Sequence, residues 1–344
     1  MITSLKSRSI KESDFPKEAD DLTKVTFLLH YAVLAPSSWN TQPWLFKLKD
    51  NVIQFFLDVE RRQGCRDPQG RESIISCGAA LYNLRLALRH FGFSEETTIA
   101  PISADGNLVA EITWESSGVP GRDNKLFKAI PNRHSYRRPF TEDVVAPEFI
   151  ELFQNAAKVY NCEFIPITLN STQMALAGMI SEADKDLGSD LATRKEYASW
   201  VRSSGRSGDG VPGYAMGNMN TIASLLAPLT HRVFNYTDEF ARGDQALTCA
   251  TTLLGVITSP GDTPHDWVQS GQAVERVLLS ATANGMQASF LNQPIPVPEL
   301  RKRLQSLLGL TDWPQLIVRI GYPTDEPKIS PRRKLGEMLI TDKD

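Results

Sequence analysis

Cysteine is scarce: four in 344 residues, at positions 65, 77, 162 and 249, with no C-x-x-C pair. That spacing excludes a disulfide framework and a cysteine-based zinc site, and points to buried or idle thiols in a reducing compartment. Histidine is also rare, with five in the chain and none grouped with carboxylates at metal-ligand spacing, so no metal is expected. Neither sign of charge dominates: 37 Lys+Arg face 40 Asp+Glu for a net −3, which argues against nucleic acid as a partner. Long apolar runs are missing too. The most apolar-leaning stretch, residues 222–229, is far shorter than the ~20 residues a membrane helix needs. Residues 1–18 lack the apolar segment of a signal peptide, so the expectation is no membrane and a cytoplasmic location. There is no G-x-S-x-G elbow and no P-loop. A formal G-x-G-x-x-G at 208–213 follows a Gly/Ser-rich segment rather than a strand and contains Pro212, which argues against a dinucleotide fingerprint.

What is present is ordinary globular composition, 41% hydrophobic and 22% charged, enough for a large core in two domains or one intertwined one. Leu22, Val25, Leu28, Leu29, Ala32 and Val33 recur at helical spacing over 19–35, stopped by Pro36. Strand-like runs follow at 44–48 and 52–58, joined by a tight turn over 49–51. A strong helix spans 72–91, with Gly92 as its terminator, and 108–114 alternates like a strand.

After a polar stretch at 115–124 a similar order restarts: a helix at 149–159, a strand at 162–167, a long helix at 271–284 closed by Gly285, and a strand at 316–320. GAALYNLRLALRHFGF (78–93) and GQAVERVLLSATANGM (271–286) align without a gap, matching Gly78 with Gly271 and Gly92 with Gly285. Helical periodicity alone yields some apolar matches, so the glycines carry the case for an internal duplication. The first helices of the two halves lie about 125 residues apart and the second ones 193 apart. The second half therefore holds an insertion of roughly 70 residues, placed at about 170–265. Its SSGRSGDGVPGYAMGNMN run (203–220) has the composition of a mobile loop or lid.

Three segments carry candidate chemistry. APSSWNTQPW (35–44) breaks a helix at proline, then presents two hydroxyls, an amide pair and two indoles. NRHSYRRPF (132–140) sets Arg133, Arg137 and Arg138 around Ser135, and SPRRKLGEM (330–338) places Arg332 beside Arg333 after a proline. Guanidinium forks suit phosphate oxygens.

Together these segments resemble the nitroreductase family of flavoproteins, through P-S-S-x-N-x-Q-P-W after the first helix, R-x-S-x-R and a basic C-terminal segment. The similarity extends to its single-chain, lid-bearing Acg-like subgroup through EYASWVR (196–202), DGVP (209–212), FLNQP (290–294), Pro314-Gln315 and Gly321-Tyr322. The resemblance implies an α+β fold of two tandem nitroreductase-like halves, an intramolecular pseudo-dimer with mostly antiparallel sheets flanked by helices. Residues 1–124 would form the half supplying the P-S-S-x-N loop, and 125–344 the half with R-x-S-x-R, the lid and the basic tail. The first half offers only a poor R-x-S match at 7–11, and the second has no P-S-S-x-N equivalent, so one flavin site is expected.

By the same resemblance FMN is the cofactor and NAD(P)H the donor. Arg133, Ser135, Arg332 and Arg333 would hold the phosphate, with His134 in the same segment. Arg137 would lie near the flavin N1/O2 edge, and Pro36, Ser37, Ser38, Asn40 and Gln42 would hold the ring. Phe290, Leu291, Asn292 and Gln293 would meet it near N5. The flavin carries the chemistry, so no protein side chain is expected to be catalytic. The implied activity passes hydride from NAD(P)H to a small-molecule acceptor, a nitroaromatic or quinone. The alternative is a protein that sequesters FMN under the lid. A monomeric pseudo-dimer is expected rather than a homodimer.

Overall fold

A computed structural model describes residues 9–100, 106–119, 121, 124–203, 208–213 and 236–341. Helix α1 (Asp21–Ala32) starts at Asp20, whose carboxylate accepts from Thr23 N, the usual remedy for an unpaired first-turn donor. Strands β1 (Trp44–Lys49) and β2 (Val52–Leu57) form a hairpin. Its Asp50 sits at φ 52°, a region aspartate tolerates. Helix α2 (Arg71–His90) leads to β3 (Phe93–Ile99) and β4 (Leu108–Ser116). The short α3 (Asn124–Ala129) then opens the second half.

There α4 (Pro147–Lys158) and β5 (Glu163–Ile167) precede α5 (Asn170–Ser189), α6 (Leu191–Trp200), the two-residue strands β6 (Val201–Arg202) and β7 (Val211–Pro212), and α7 (Thr237–Cys249). The remaining elements are β8 (Leu253–Ser259), α8 (Pro264–Thr282), β9 (Gln287–Phe290), α9 (Pro298–Leu307) and β10 (Trp313–Gly321). The fold is α+β. Its two four-stranded sheets, β1-β2-β4-β3 and β5-β8-β10-β9, are antiparallel throughout. Each takes its strands in the chain order first, second, fourth, third, so the tandem arrangement is visible in the topology itself.

The two halves meet where α2 crosses α8. A Cβ on Gly78 would lie 2.2 Å from Val268 O, and one on Gly271 would lie 2.1 Å from Ile75 O. Each glycine faces the carbonyl three residues before the other, so the crossing is reciprocal and carries the 193-residue offset. Gly92 and Gly285 likewise both adopt left-handed conformations, φ 83° and 79°, just past the two helix ends. Both helices are buried on most sides, because each packs its own sheet and the other helix.

Three sequence boundaries need correction. The expected insertion at 170–265 takes in β8, which is the second strand of the second sheet and is buried along its whole length. The interposed segment is therefore 168–252. Helix α8 begins at Pro264 rather than 271: Thr263 and Asp266 form a capping box, while Ser270 and Gln272, buried in the crossing, blur the apolar period. Strand β3 was not anticipated, since its FSEETTI sequence buries little. Residues 7–8, 204–207, 214–220 and 222–229, which carry part of the R-x-S match, the Gly/Ser run and the apolar stretch, lie outside the described residues. Among the described residues no helix is long and apolar enough to cross a membrane, and no group of His, Cys, Asp and Glu could hold a metal.

Candidate functional site

Between α1 and β1 the chain cannot stay helical through Pro36, so the last carbonyls of α1 need other donors. Arg332 supplies them: Nε donates to Val33 O (2.8 Å), and Nη2 to Leu34 O (2.9 Å) and Ala35 O (3.0 Å). Arg133 Nη2 also donates to Leu34 O, at 2.9 Å. Cations at a helix C-terminus are doubly favoured, by hydrogen bonding and by the helix dipole. The loop that follows is unusual. Trp39, Asn40 and Gln42 have φ of 48°, 57° and 53°, conformations that disfavour side-chain-bearing residues and concentrate at ligand sites. Gln42 N donates to Ser37 Oγ (2.9 Å) and Ser38 Oγ to Gln63 Oε1 (3.2 Å), which hold the turn.

This loop forms one wall of a cavity of about 630 Å³, within the range of small-molecule and cofactor sites. The first half contributes Pro36, Ser37, Ser38 and the α2 residues Glu72, Ile75 and Ser76. From the second come Ser135 and Arg137, Phe290 to Gln293 after β9, and Arg319 on β10. The R-x-S segment reaches the cavity by running beside β9, with a Ser135–Ala288 bridge and Tyr136 N donating to Ala288 O (2.8 Å). Asn292 Oδ1 accepts from Ile317 N (2.8 Å), fixing the turn after β9. The interposed segment closes the cavity with Asp184 from α5, Tyr197 from α6, and Phe240 and Asp244 from α7.

The expected site residues therefore divide. Pro36, Ser37, Ser38, Ser135, Arg137, Phe290, Leu291, Asn292 and Gln293 converge on the cavity. Arg133, His134, Asn40, Gln42, Arg332 and Arg333 do not line it. Arg133 is buried against Glu275 at 3.5 Å, and that burial holds its pKa below the usual arginine value, with Glu275 acting against the shift. His134 N donates to Gln287 Oε1 (3.1 Å). Arg333 contacts Gln42 O (3.3 Å), Asp58 (3.4 Å) and Glu337 O (2.9 Å).

Asn40 and Gln42 grip the strap at residues 208–210, just before β7. Asn40 Nδ2 donates to Gly210 O (3.1 Å), Gln42 Nε2 to Gly208 O (2.8 Å), and Gly210 N to Asn40 O (3.2 Å). Asp209 of the strap pairs with Arg61 and with Arg202. Glu196 on α6 accepts from the backbone N–H groups of Cys65 and Arg66 (3.2 Å each).

Sequence reasoning missed the ionisable lining of the lid side. Asp184 is pushed up to about 7 by burial and by nearby Asp244, against Arg66 and a hydrogen bond with Gln293. Asp244 is pushed up to about 6 by burial, against Arg319, Arg137, Arg66 and Gln293. Gln293 Nε2 donates to Asp244. Arg319 donates to Tyr136 O (2.7 Å) and Arg138 O (3.0 Å), lies 4.5 Å from the Phe140 ring centre, and is held by burial at about 10. In sequence Asp184 is one of several helical acids between 182 and 186. Only its covered position singles it out.

No family model matches the chain. Over 331 residues, 93% of this chain and 92% of the relative, it is 27% identical to the Mycobacterium tuberculosis (strain ATCC 25618 / H37Rv) protein named "Putative NAD(P)H nitroreductase Rv3131". It is 24% identical over 319 residues, 90% of this chain and 92% of the relative, to "Putative NAD(P)H nitroreductase acg" from the same strain. The resemblance read from short motifs thus extends along nine-tenths of the chain. Among solved structures, an FMN and NADPH-dependent nitroreductase, NfnB, from sphigopyxis sp. strain HMH covers 63% of this chain and 98% of its own, at 14% identity and a TM-score of 0.42. A BluB-like flavoprotein from Clostridium difficile 630 covers 63% and 98%, at 15% identity and a TM-score of 0.40.

Proposed function

We propose that the protein is an FMN-dependent oxidoreductase of the nitroreductase type, using NAD(P)H to reduce a small organic acceptor such as a quinone or nitroaromatic. One observation carries the reading. Three segments separated by roughly 100 and 150 residues of sequence, the P-S-S loop, the R-x-S segment and the turn after β9, line a single cavity between the halves. Relatives named as NAD(P)H nitroreductases over most of the chain support it.

The cavity residues suit a flavin ring: apolar faces from Ile75 and Phe290, hydroxyls from Ser37, Ser38 and Ser135, and a cation from Arg137. Phosphate binding by Arg332 and Arg333 would compete with existing contacts, because Arg332 already serves peptide carbonyls and Arg333 a carbonyl and the Asp58 carboxylate. Arg66 and Arg137 are cations that do reach the cavity. When bound, FMN would accept and donate hydride, letting NAD(P)H and the acceptor react in turn. Arg137 would stabilise negative charge developing beside it, and the amide groups of Asn292 and Gln293 would orient the ring edge. The α5–α7 segment would exclude water, which strengthens each of these interactions. With both halves in one chain, a monomer is a complete unit.

The test is the visible spectrum of FMN-supplemented, desalted protein before and after anaerobic NAD(P)H. Retained flavin bands that bleach are expected. Bands that persist unbleached would overturn the reductase reading in favour of sequestration under the lid, and no retained flavin would remove the cofactor assignment.

A further inference from the structure

The carboxyl groups of Asp184 and Asp244 belong to no element of the proposed ring site. They come from two different helices of the interposed segment, yet both line the same cavity as the P-S-S loop. Gln293, on the turn after β9, links them to the core by donating to Asp244. Two atoms in this group are shielded from solvent without a hydrogen-bond partner, Asp184 Oδ2 and Gln293 Oε1. An ionised carboxylate oxygen in that position would be costly to leave unpaired, whereas a protonated one has a hydrogen to offer an incoming group.

The charged and titratable groups facing the pair are Arg66 from the loop before α2, Arg137 from the R-x-S segment, Arg319 from β10 and Tyr197 from α6. Two carboxyls facing three guanidinium groups can hold one proton between them and still tolerate its loss, because the arginines stabilise the charge left behind. Beside them stands an aromatic wall: Trp39 and Tyr197 have ring centres 5.1 Å apart, and Tyr197 and Phe240 5.9 Å. Such a wall favours a planar ring.

Resting on the proposed reductase reading, we propose that the Asp184–Asp244 pair is the proton donor to a planar carbonyl acceptor such as a quinone. The step balances. The hydride that leaves the C–H bond of NAD(P)H is delivered to one quinone oxygen, the ring electrons shift so that negative charge falls on the other oxygen, and that second oxygen takes the proton from Asp184. Two O–H bonds form at the product, while the donor's C–H bond and the carboxyl O–H bond break, leaving a carboxylate facing the arginines until solvent protonates it again. Donation is available while Asp184 is protonated and is lost as pH rises through about 7. General acids of this kind contribute about 10²–10⁴-fold.

The experiment compares reoxidation of the reduced holoprotein by a benzoquinone, which needs protons, with reoxidation by ferricyanide, which does not. In the wild type the quinone-to-ferricyanide rate ratio should fall as pH rises through 7. Asp184→Asn should lower the ratio about 100-fold and remove its pH dependence. Asp184→Glu should restore part of it, and Asp244→Asn should shift the fall to lower pH. A second readout needs no bound flavin: infrared titration of the apoprotein should show a protonated carboxyl band disappearing near neutral pH, absent in Asp184→Asn. A flat wild-type ratio from pH 5.5 to 8.5, or an unchanged ratio in Asp184→Asn, would overturn the proposal. Failure of NAD(P)H to bleach the wild type would instead strike the reductase reading. The infrared band would then decide on its own whether the pair holds a proton, and its absence would overturn the donor role.

Discussion

The connections that follow α1 and α4 occupy equivalent places in the two halves and could hardly differ more. From Ala32 to Trp44 the chain spends a long loop with three left-handed side-chain-bearing residues, while from Lys158 to Glu163 it crosses directly, with Asn161 alone at positive φ. Strand order and helix crossing, in contrast, repeat between the halves. Packing tolerates little change at a buried crossing, whereas a loop is free to diverge once only one of two sites is used. The duplicated core is thus a scaffold, and the asymmetry lies in the loops and in the segment inserted between β5 and β8.

Seven substitutions would break or sharpen this contrast. The largest effect belongs to the shared core. Gly78→Ala or Gly271→Ala forces a Cβ against a backbone carbonyl and should destabilise by about 3 kcal/mol in urea unfolding, nearly equally at the two positions. The double variant should lose less than the sum, because both act on one contact. A marked inequality would argue against a reciprocal crossing.

Next comes the asymmetric loop. Arg332→Ala removes the arginine donor from Val33 O and Ala35 O and leaves Leu34 O with Arg133, and should cost about 2 kcal/mol of stability. Arg137→Ala, at the cavity, should weaken FMN binding about tenfold, or about 1.4 kcal/mol, as read by fluorescence quenching.

The approaches to the crossing helices differ electrostatically. Before α8, burial would raise the Asp262 carboxyl, but donation from Arg301, Gln315 and Trp267 outweighs it and holds it at about 2. Before α2, burial and Glu72 push Asp67 up to about 6. The signs are opposite. Asp262 stabilises the fold above the unfolded carboxylate value near 4, and that contribution is lost as pH falls from about 4 to 2. Asp67 favours the fold below pH 4, and its contribution is lost as pH rises through 6. Asp262→Asn should therefore cost about 2 kcal/mol at pH 5, a gap that closes near pH 2 when unfolding is followed across pH.

The smallest effect is expected at the short connection. Asn161→Gly should stay within about 0.5 kcal/mol of the wild type, since glycine takes a positive φ freely but loses more chain entropy on folding. Asn40→Gly should instead loosen the strap, because it removes the bonds to Gly210 O and Pro331 O. Faster proteolytic cleavage near residues 208–213 would report it.

Much of this was legible in the chain. Helical period, Pro36, the terminal glycines and the alignment of Gly78 with Gly271 located the elements and the repeat, because helix spacing, proline's missing donor and glycine's missing side chain are local properties. The short motifs also marked the cavity's core walls. Two things escaped. The start of α8 was hidden because a helix buried on most sides needs small and polar residues at the crossing rather than an apolar stripe. The arginines of the basic tail carry the same charge whether they face a ligand or a helix end.

Sequence by itself determined the α+β pattern, the duplication and the residue types available for an anionic, ring-bearing ligand. Tertiary structure alone decided which of those residues face the cavity, that Arg332 caps α1, and that Asp184 and Asp244 meet across two helices. Burial and long-range proximity set those outcomes, and neither is encoded in any window of neighbouring residues.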